Sequence, residues 1–181
     1  EARIGEPWQR PTGAAVGRVI SDDQLVNKYI EHLLSTIDVS LSGLKVVVDC
    51  ANGASSFTAP VALSRAGAEV IAIANTPDGW NINDGVGSTH LDFLRNAVLK
   101  NGANVGIAHD GDADRCLAID ATGAEIDGDV IMTILAKGFK AQGKLKANTI
   151  VGTVMSNLGF MHAMAESGIE VVTTAVGDRY V

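Results

Sequence analysis

The segment HDGDADRC, residues 109–116, sets aspartates at positions 110, 112 and 114 with only Gly111 and Ala113 between them. Three carboxylates this close repel one another unless a cation neutralises them. Their oxygens are hard donors, which suit Mg2+ or Ca2+ and not a soft metal. The small spacers let the chain curl and turn Asp110, Asp112 and Asp114 toward one point. Arg115 comes next, where it either balances their charge or reaches a phosphoryl oxygen that bridges to the metal, as Arg does in phosphoryl transfer. A solvated acidic turn is the plainer reading. Alternate spacing and a position straight after a predicted strand both favour a ligand site.

Spacing also tests other carboxylate loops. An EF-hand shares aspartates at its first, third and fifth positions but needs Gly at the sixth and Glu at the twelfth. Arg115 and Ala121 stand there, so that reading fails. A phosphatase of the haloacid dehalogenase type also carries D-x-D after a strand and would use Asp110 as nucleophile. It usually has Thr or Val two residues beyond the second aspartate, where this chain has Asp114. That alternative is weaker and stays open.

For the aspartates to act together, the strand before them must end at a ligand-binding edge. ANVGIAH (103–109) reads as that strand, RCLAID (115–120) as the next, and ATGAEI (121–126) as a turn and a short strand. Upstream, SDDQLVNKYIEHLLSTI (21–37) reads as a helix. Ser21 can cap it, Asp22 and Asp23 suit its positive end, and Leu25, Tyr29, Leu33 and Ile37 form one stripe. LKVVVDC (44–50) has the Val-rich run of a buried parallel strand, and ANGAS turns it into a helix over 55–66. GAEVIAIAN (67–75) is a strand, TPDGWNINDGVG (76–87) a loop, and STHLDFLRNAVLKNG (88–102) a helix capped by Ser88 or Thr89 and stopped by Gly102.

The pattern restarts near residue 127, with helix 128–142, strand 148–154, helix 156–168 and strand 169–176. Strands alternating with helices predict an α/β fold, a mixed, mostly parallel sheet flanked by helices. Open sheets of this kind bind ligands beyond the C-terminal ends of their strands, which is where the aspartates fall. Residues 1–20 read as an extended arm or linker.

Composition narrows the partners. Of 181 residues, 46% are hydrophobic and only 4% aromatic, so Ala, Val, Ile and Leu must fill the core. The net charge is −7 with no Lys/Arg cluster, which excludes the basic patch that nucleic-acid binding needs. A phosphorylated ligand would need local cations, a bound metal or helix N-termini. No apolar run reaches the length of about 18 residues that suggests a membrane span. Cys50 and Cys116 each adjoin an apolar run and read as small buried hydrophobes, which favours a reducing compartment. The chain opens at Glu1 without Met, and it is expected to be a piece of something longer.

GIAHDGDADRCLAID (106–120) resembles the metal loop of the α-D-phosphohexomutase superfamily. VVVDCANGA (46–54), NINDGVGSTH (81–90), VMSNLGF (154–160) and TTAVGDRYV (173–181) point more narrowly to its bacterial phosphoglucosamine mutase branch. Val86 departs from the pattern, where a small residue or Cys is expected. The resemblance covers essentially the whole chain. It implies four domains around one cleft, with a phosphoserine of the first domain exchanging phosphoryl groups with the sugar. It implies Mg2+ held by that phosphoserine and by Asp110, Asp112 and Asp114. Residues 1–22 then correspond to the tail of the preceding domain, 23–126 to the second domain and 127–181 to the first half of the third.

The activity so implied is isomerisation by intramolecular phosphoryl transfer between glucosamine 6-phosphate and glucosamine 1-phosphate, feeding cell-wall amino-sugar precursors in the cytoplasm. No serine loop of the required type is seen here, so these 181 residues alone are expected to be inactive. The implied partner is a phosphosugar, not nucleic acid or a membrane, and a homodimer of the whole enzyme is allowed. By the same resemblance Arg115 and His90 are the candidate catalytic residues, and Asp178 and Arg179 the candidate substrate contacts.

Plainer roles suit the rest. Asn81 and Asn83 are read as turn formers, His32 and His162 as structural, and Asp127 and Asp129 as helix caps. Ser156 and Asn157 cap a helix whose N-terminus could also face a phosphate. The alternatives kept are a phosphoglucomutase or phosphomannomutase, a haloacid dehalogenase-like phosphatase, and a non-catalytic divalent-cation-binding module.

Overall fold

The computed structural model describes residues 5, 10–22 and 24–181. Strands β1 (Lys45–Asp49), β2 (Glu69–Ile73), β3 (Val105–His109), β4 (Cys116–Asp120) and β5 (Glu125–Ile126) form one sheet in the order β2-β1-β3-β4-β5. β1 is parallel to β2 and β3, whereas β4 runs antiparallel to β3 and β5. Only residues 110–115 separate β3 from β4. A parallel return needs a crossover of a dozen or more residues, so β4 must double back. The aspartate segment is thus the loop of a hairpin, with His109 paired to Cys116 at its mouth.

Helix α1 (Gln24–Ser35) packs on α2 (Ser55–Arg65), and α2 packs on β2. Helix α3 (Leu91–Asn101) lies across β3, β1 and β4. Its Leu94 and Val98 share a core with Val47, Ala103, Ala108 and Ile119. Val46 and Val48 point to the opposite face and are buried as well, so β1 is covered on both sides, which is why it reads as unbroken valine. Gly106 sets the spacing on the α3 side. A Cβ there would lie 2.5 Å from Val98 Cγ2 and 2.8 Å from Leu94 Cδ1.

The second unit holds a parallel pair, β6 (Thr149–Thr153) and β7 (Glu170–Thr174), with α4 (Gly128–Ala141) and α5 (Leu158–Glu166). It has its own core of Ala136, Phe160, Met164 and Ile169. Asp127 caps α4 by accepting from the Val130 amide at 2.9 Å, and Asn157 caps α5 by accepting from the Phe160 amide at 2.9 Å. Asp129 is not a cap. Its carboxylate accepts from the Asn157 amide at 2.8 Å and ties α4 to the start of α5.

Several sequence expectations are corrected. At α1 it is Asp22, not Ser21, whose side chain accepts from the Gln24 amide, and Asp23 lies outside the described residues. The proposed stripe is not the buried one: Leu25 and Tyr29 are exposed, and Ile30 is the buried residue, because α1 meets α2 on the adjoining side. Neither Ser88 nor Thr89 caps α3. The cap position falls on His90, whose side chain makes no capping bond, and the Ser88 amide is committed to His109. Cys50 is buried, and burial pushes its thiol up to about 11, but Cys116 is exposed because it starts β4 at the open mouth of the hairpin. In the predicted arm, residues 13–15 form a short 3-10 turn, and residues 1–4 and 6–9 lie outside the described residues.

The β4–β5 turn depends on one carboxylate. Asp120 Oδ1 accepts from the Thr122 hydroxyl at 2.7 Å and from the Ala124 and Thr122 amides at 2.9 and 2.8 Å. These bonds hold Asp120 below its usual value of 3.8, the Thr122 hydroxyl contributing most. The stabilisation is therefore full above 3.8 and is lost as pH falls through the lower folded value. Asp120→Asn should lower the urea midpoint at pH 7, and the gap to the parent should close as the pH is taken below 3.8. A gap independent of pH would show that ionisation of Asp120 is not what braces the turn.

Candidate metal centre

The hairpin brings one oxygen each from Asp110, Asp112 and Asp114 within 4.8 Å of one another. Asp112 and Asp114 are exposed, whereas Asp110 is 2% exposed. Ala113 makes the curl by adopting a left-handed φ of 59°, a strain that a bulkier β-branched residue would make worse. Arg115 grips the buried member: its amide donates to Asp110 Oδ1 at 3.1 Å and its Nε to Oδ2 at 2.7 Å. Burial alone would raise Asp110, but these bonds outweigh it and hold the carboxyl below its usual range. Asp114 is pushed the other way, chiefly by the charge of Asp112. The trio is thus one locked carboxylate and two open ones, a donor set of hard oxygens able to share a divalent ion.

The loop is gripped from outside on both sides of Asp110. The Ala54 amide donates to Gly111 O at 2.8 Å, and the Ser88 amide donates to His109 O at 2.9 Å. Both contacts demand glycine. A Cβ on Gly53 would sit 2.2 Å from Gly111 O, and one on Gly87 would sit 2.7 Å from His109 O. Behind them, the 76–85 loop is stitched to the turn after β1. The Asn83 amide donates to Ala51 O at 3.0 Å, and Asn52 accepts from the Thr76 amide at 3.1 Å while donating to Asn81 O at 3.3 Å. Asn81 and Asn83 are turn residues, and they also brace the site.

Beneath the loop, His109 Nδ1 lies 3.1 Å from Ser55 Oγ, at the first residue of α2. Burial holds His109 below its usual value, against the opposing pull of Asp110 and Asp49. His109, Ser55, Thr58, Tyr29 and Asp112 line a cavity of about 340 Å³.

The other candidates lie apart from the trio. His90 is exposed, pairs with Thr89 Oγ1 at 3.1 Å, and lines a different cavity of about 520 Å³ with Arg95 and Glu125. Asp178 and Arg179 lie in a short 3-10 turn, Asp178–Tyr180, beyond β7, where the Arg179 guanidinium stands 5.6 Å from the Tyr180 ring centre. The sequence reading overlooked Asp49, Ser55 and His109. Asp49 carried a signal, since a charged residue closing a run of three buried valines at the strand's C-terminal edge has no packing reason to be there.

Comparison with known proteins decides the family. The family model for phosphoglucomutase/phosphomannomutase α/β/α domain II matches residues 27–123, and that for domain III matches residues 127–181. The chain belongs to the phosphoglucomutase/phosphomannomutase family. This sets aside the haloacid dehalogenase-type alternative. The chain is similar to a phosphoglucosamine mutase of Streptomyces griseus, 58% identical over 99% of this chain and 40% of the relative. It is likewise similar to one of Rhodococcus erythropolis, 60% identical over 94% of this chain and 38% of the relative. It therefore spans about two fifths of the curated relatives it matches. Among solved structures, a phosphoglucomutase/phosphomannomutase family protein of Burkholderia thailandensis shares the fold with a TM-score of 0.72 at 22% identity, over 84% of this chain and 33% of that one.

The grip on the aspartate hairpin can be loosened directly. Gly53→Ala should displace Gly111 and break the Ala54 bond, so that amides in 109–115 exchange with solvent at least about tenfold faster while β1 and β3 stay protected. Unchanged exchange in the hairpin would mean that the turn after β1 does not hold it.

Proposed function

We propose that the chain is the metal-binding part of a phosphoglucosamine mutase, which interconverts glucosamine 6-phosphate and glucosamine 1-phosphate. The observation that carries the chemistry is the gripped hairpin, with three carboxylates converging beside Arg115 at the C-terminal edge of a parallel strand. The substrate comes from the relatives of 58% and 60% identity, both named phosphoglucosamine mutases.

In this reading Asp110, Asp112 and Asp114 hold Mg2+, whose role when bound is to neutralise phosphoryl oxygens and the charge that develops during transfer. Hard, anionic oxygens from three side chains leave room for water or a phosphoryl oxygen, as Mg2+ prefers. Arg115 fixes Asp110 and presents the rest of its guanidinium, 64% exposed as a side chain, to an incoming phosphoryl group. The same reading assigns His90 to the cleft and assigns Asp178 and Arg179, which lie beyond the end of β7, to the sugar. The nucleophilic phosphoserine belongs to another part of the whole protein. A cytoplasmic setting accompanies this reading, in which Cys50 and Cys116 are free thiols. No helix among the described residues is long and apolar enough to cross a membrane.

Two measurements test the proposal. Titration calorimetry should show Asp112→Ala weakening Mg2+ binding and the triple alanine variant at 110, 112 and 114 abolishing it. Equal binding by parent and triple variant would remove the metal from the hairpin. In a coupled assay the whole protein should prefer glucosamine phosphates by kcat/KM. A preference for glucose 1-phosphate or mannose 1-phosphate would reassign it to the phosphoglucomutase/phosphomannomutase side of the family.

A further inference from the structure

We infer that Asp49 is a positioning residue for the metal loop, holding by hydrogen bonds both of the loops that grip Asp110. The inference rests on the Mg2+ reading of the three aspartates. Asp49 closes β1 and is fully buried. Its Oδ1 accepts from the Ala51 amide at 2.9 Å, and its Oδ2 accepts from the Gly87 amide at 2.9 Å. The first bond shapes the turn after β1, where Ala51 and Asn52 adopt left-handed φ values of 52° and 49°. That turn delivers the Ala54 amide to Gly111 O. The second bond fixes Gly87, next to the Ser88 amide that donates to His109 O. The two carbonyls held belong to the residues on either side of Asp110, His109 and Gly111.

A carboxylate is required for this task. Burying an anion is costly, and a Ser, Thr or Asn could satisfy one amide without that cost. Only a carboxylate presents two acceptors to two amide donors 38 residues apart in sequence. Asparagine would turn its amino group toward one of those N–H donors and leave it without an acceptor in a buried site. Gly87 shows how tight the junction is: its φ is 80°, and a Cβ would lie 2.7 Å from both Ala51 Cβ and His109 O. Asp49 thus acts one step beyond an outer-shell partner, through hydrogen bonds to the loops that hold the ligand hairpin.

The test compares Mg2+ affinity by titration calorimetry in the parent, in Asp49→Asn and in Val98→Ala. Val98 is equally buried but belongs to the core under α3. Asp49→Asn should weaken Mg2+ binding about tenfold, the low end of the effect of losing an outer-shell partner. Val98→Ala should lower Tm while keeping the parent's affinity. Parent-like affinity in Asp49→Asn, or an equal loss in Val98→Ala, overturns the positioning role. A parent that binds no Mg2+ sinks the cation reading itself, and the inference falls with it. If Asp49→Asn does not fold, amide exchange in the parent decides. The Ala51 and Gly87 amides should be as protected as those of β1, and exchange at the rate of exposed loops overturns the inference.

Discussion

Repulsion among three aspartates in five residues is the constraint that this structure is built around. The hairpin does not relieve it by spreading the side chains apart. It buries Asp110, pairs both of its oxygens with Arg115 and leaves Asp112 and Asp114 in solvent. A loop under such internal stress needs external support. It receives support through the His109 and Gly111 carbonyls, held by amides from two other loops. The glycines at 53 and 87 follow from that geometry, because a side chain there would strike the Gly111 or His109 carbonyl, and one on Gly111 would strike the Ile82 and Asn83 side chains.

The fold supplies the support by ordinary means. Parallel pairing of β1 with β2 and β3 brings the ends of all three strands to one edge. The turns that leave that edge then lie within hydrogen-bonding reach of the hairpin. Burial on both faces of β1 fixes the height of this edge, and Gly106 lets α3 press Leu94 and Val98 onto the sheet. The second unit carries a separate core, joined to the first close to β4 and the Cys116 end of the hairpin. Chemistry placed at the edge therefore rests on a buried, paired sheet, which suits a site that must hold like charges in register.

What could be read from sequence follows the range of the interactions. The aspartate loop was legible because its charge spacing is local, and the strand–helix alternation was legible because each element carries its own period. Asp127 and Asn157 could be read as caps for the same reason. The grip on Asp110 could not, since its partners at 54 and 88 are brought in by sheet pairing alone. Asp49 looked like the end of a buried strand, and its two amide partners appear only when the loops are folded over it. The stripe on α1 failed because period fixes that one face is apolar but not which side meets a neighbour. Cys116 failed because an apolar run does not reveal where a hairpin opens.

The central claim is that the hairpin carboxylates gather one divalent ion. A crystal of the protein soaked in Mn2+, a scattering stand-in for Mg2+, tests it most directly through the anomalous difference map. The account predicts one dominant peak in direct coordination distance of Asp110, Asp112 and Asp114, with the His109 and Gly111 carbonyls still held by Ser88 and Ala54. A dominant peak elsewhere, or none at the hairpin at saturating Mn2+, would contradict it.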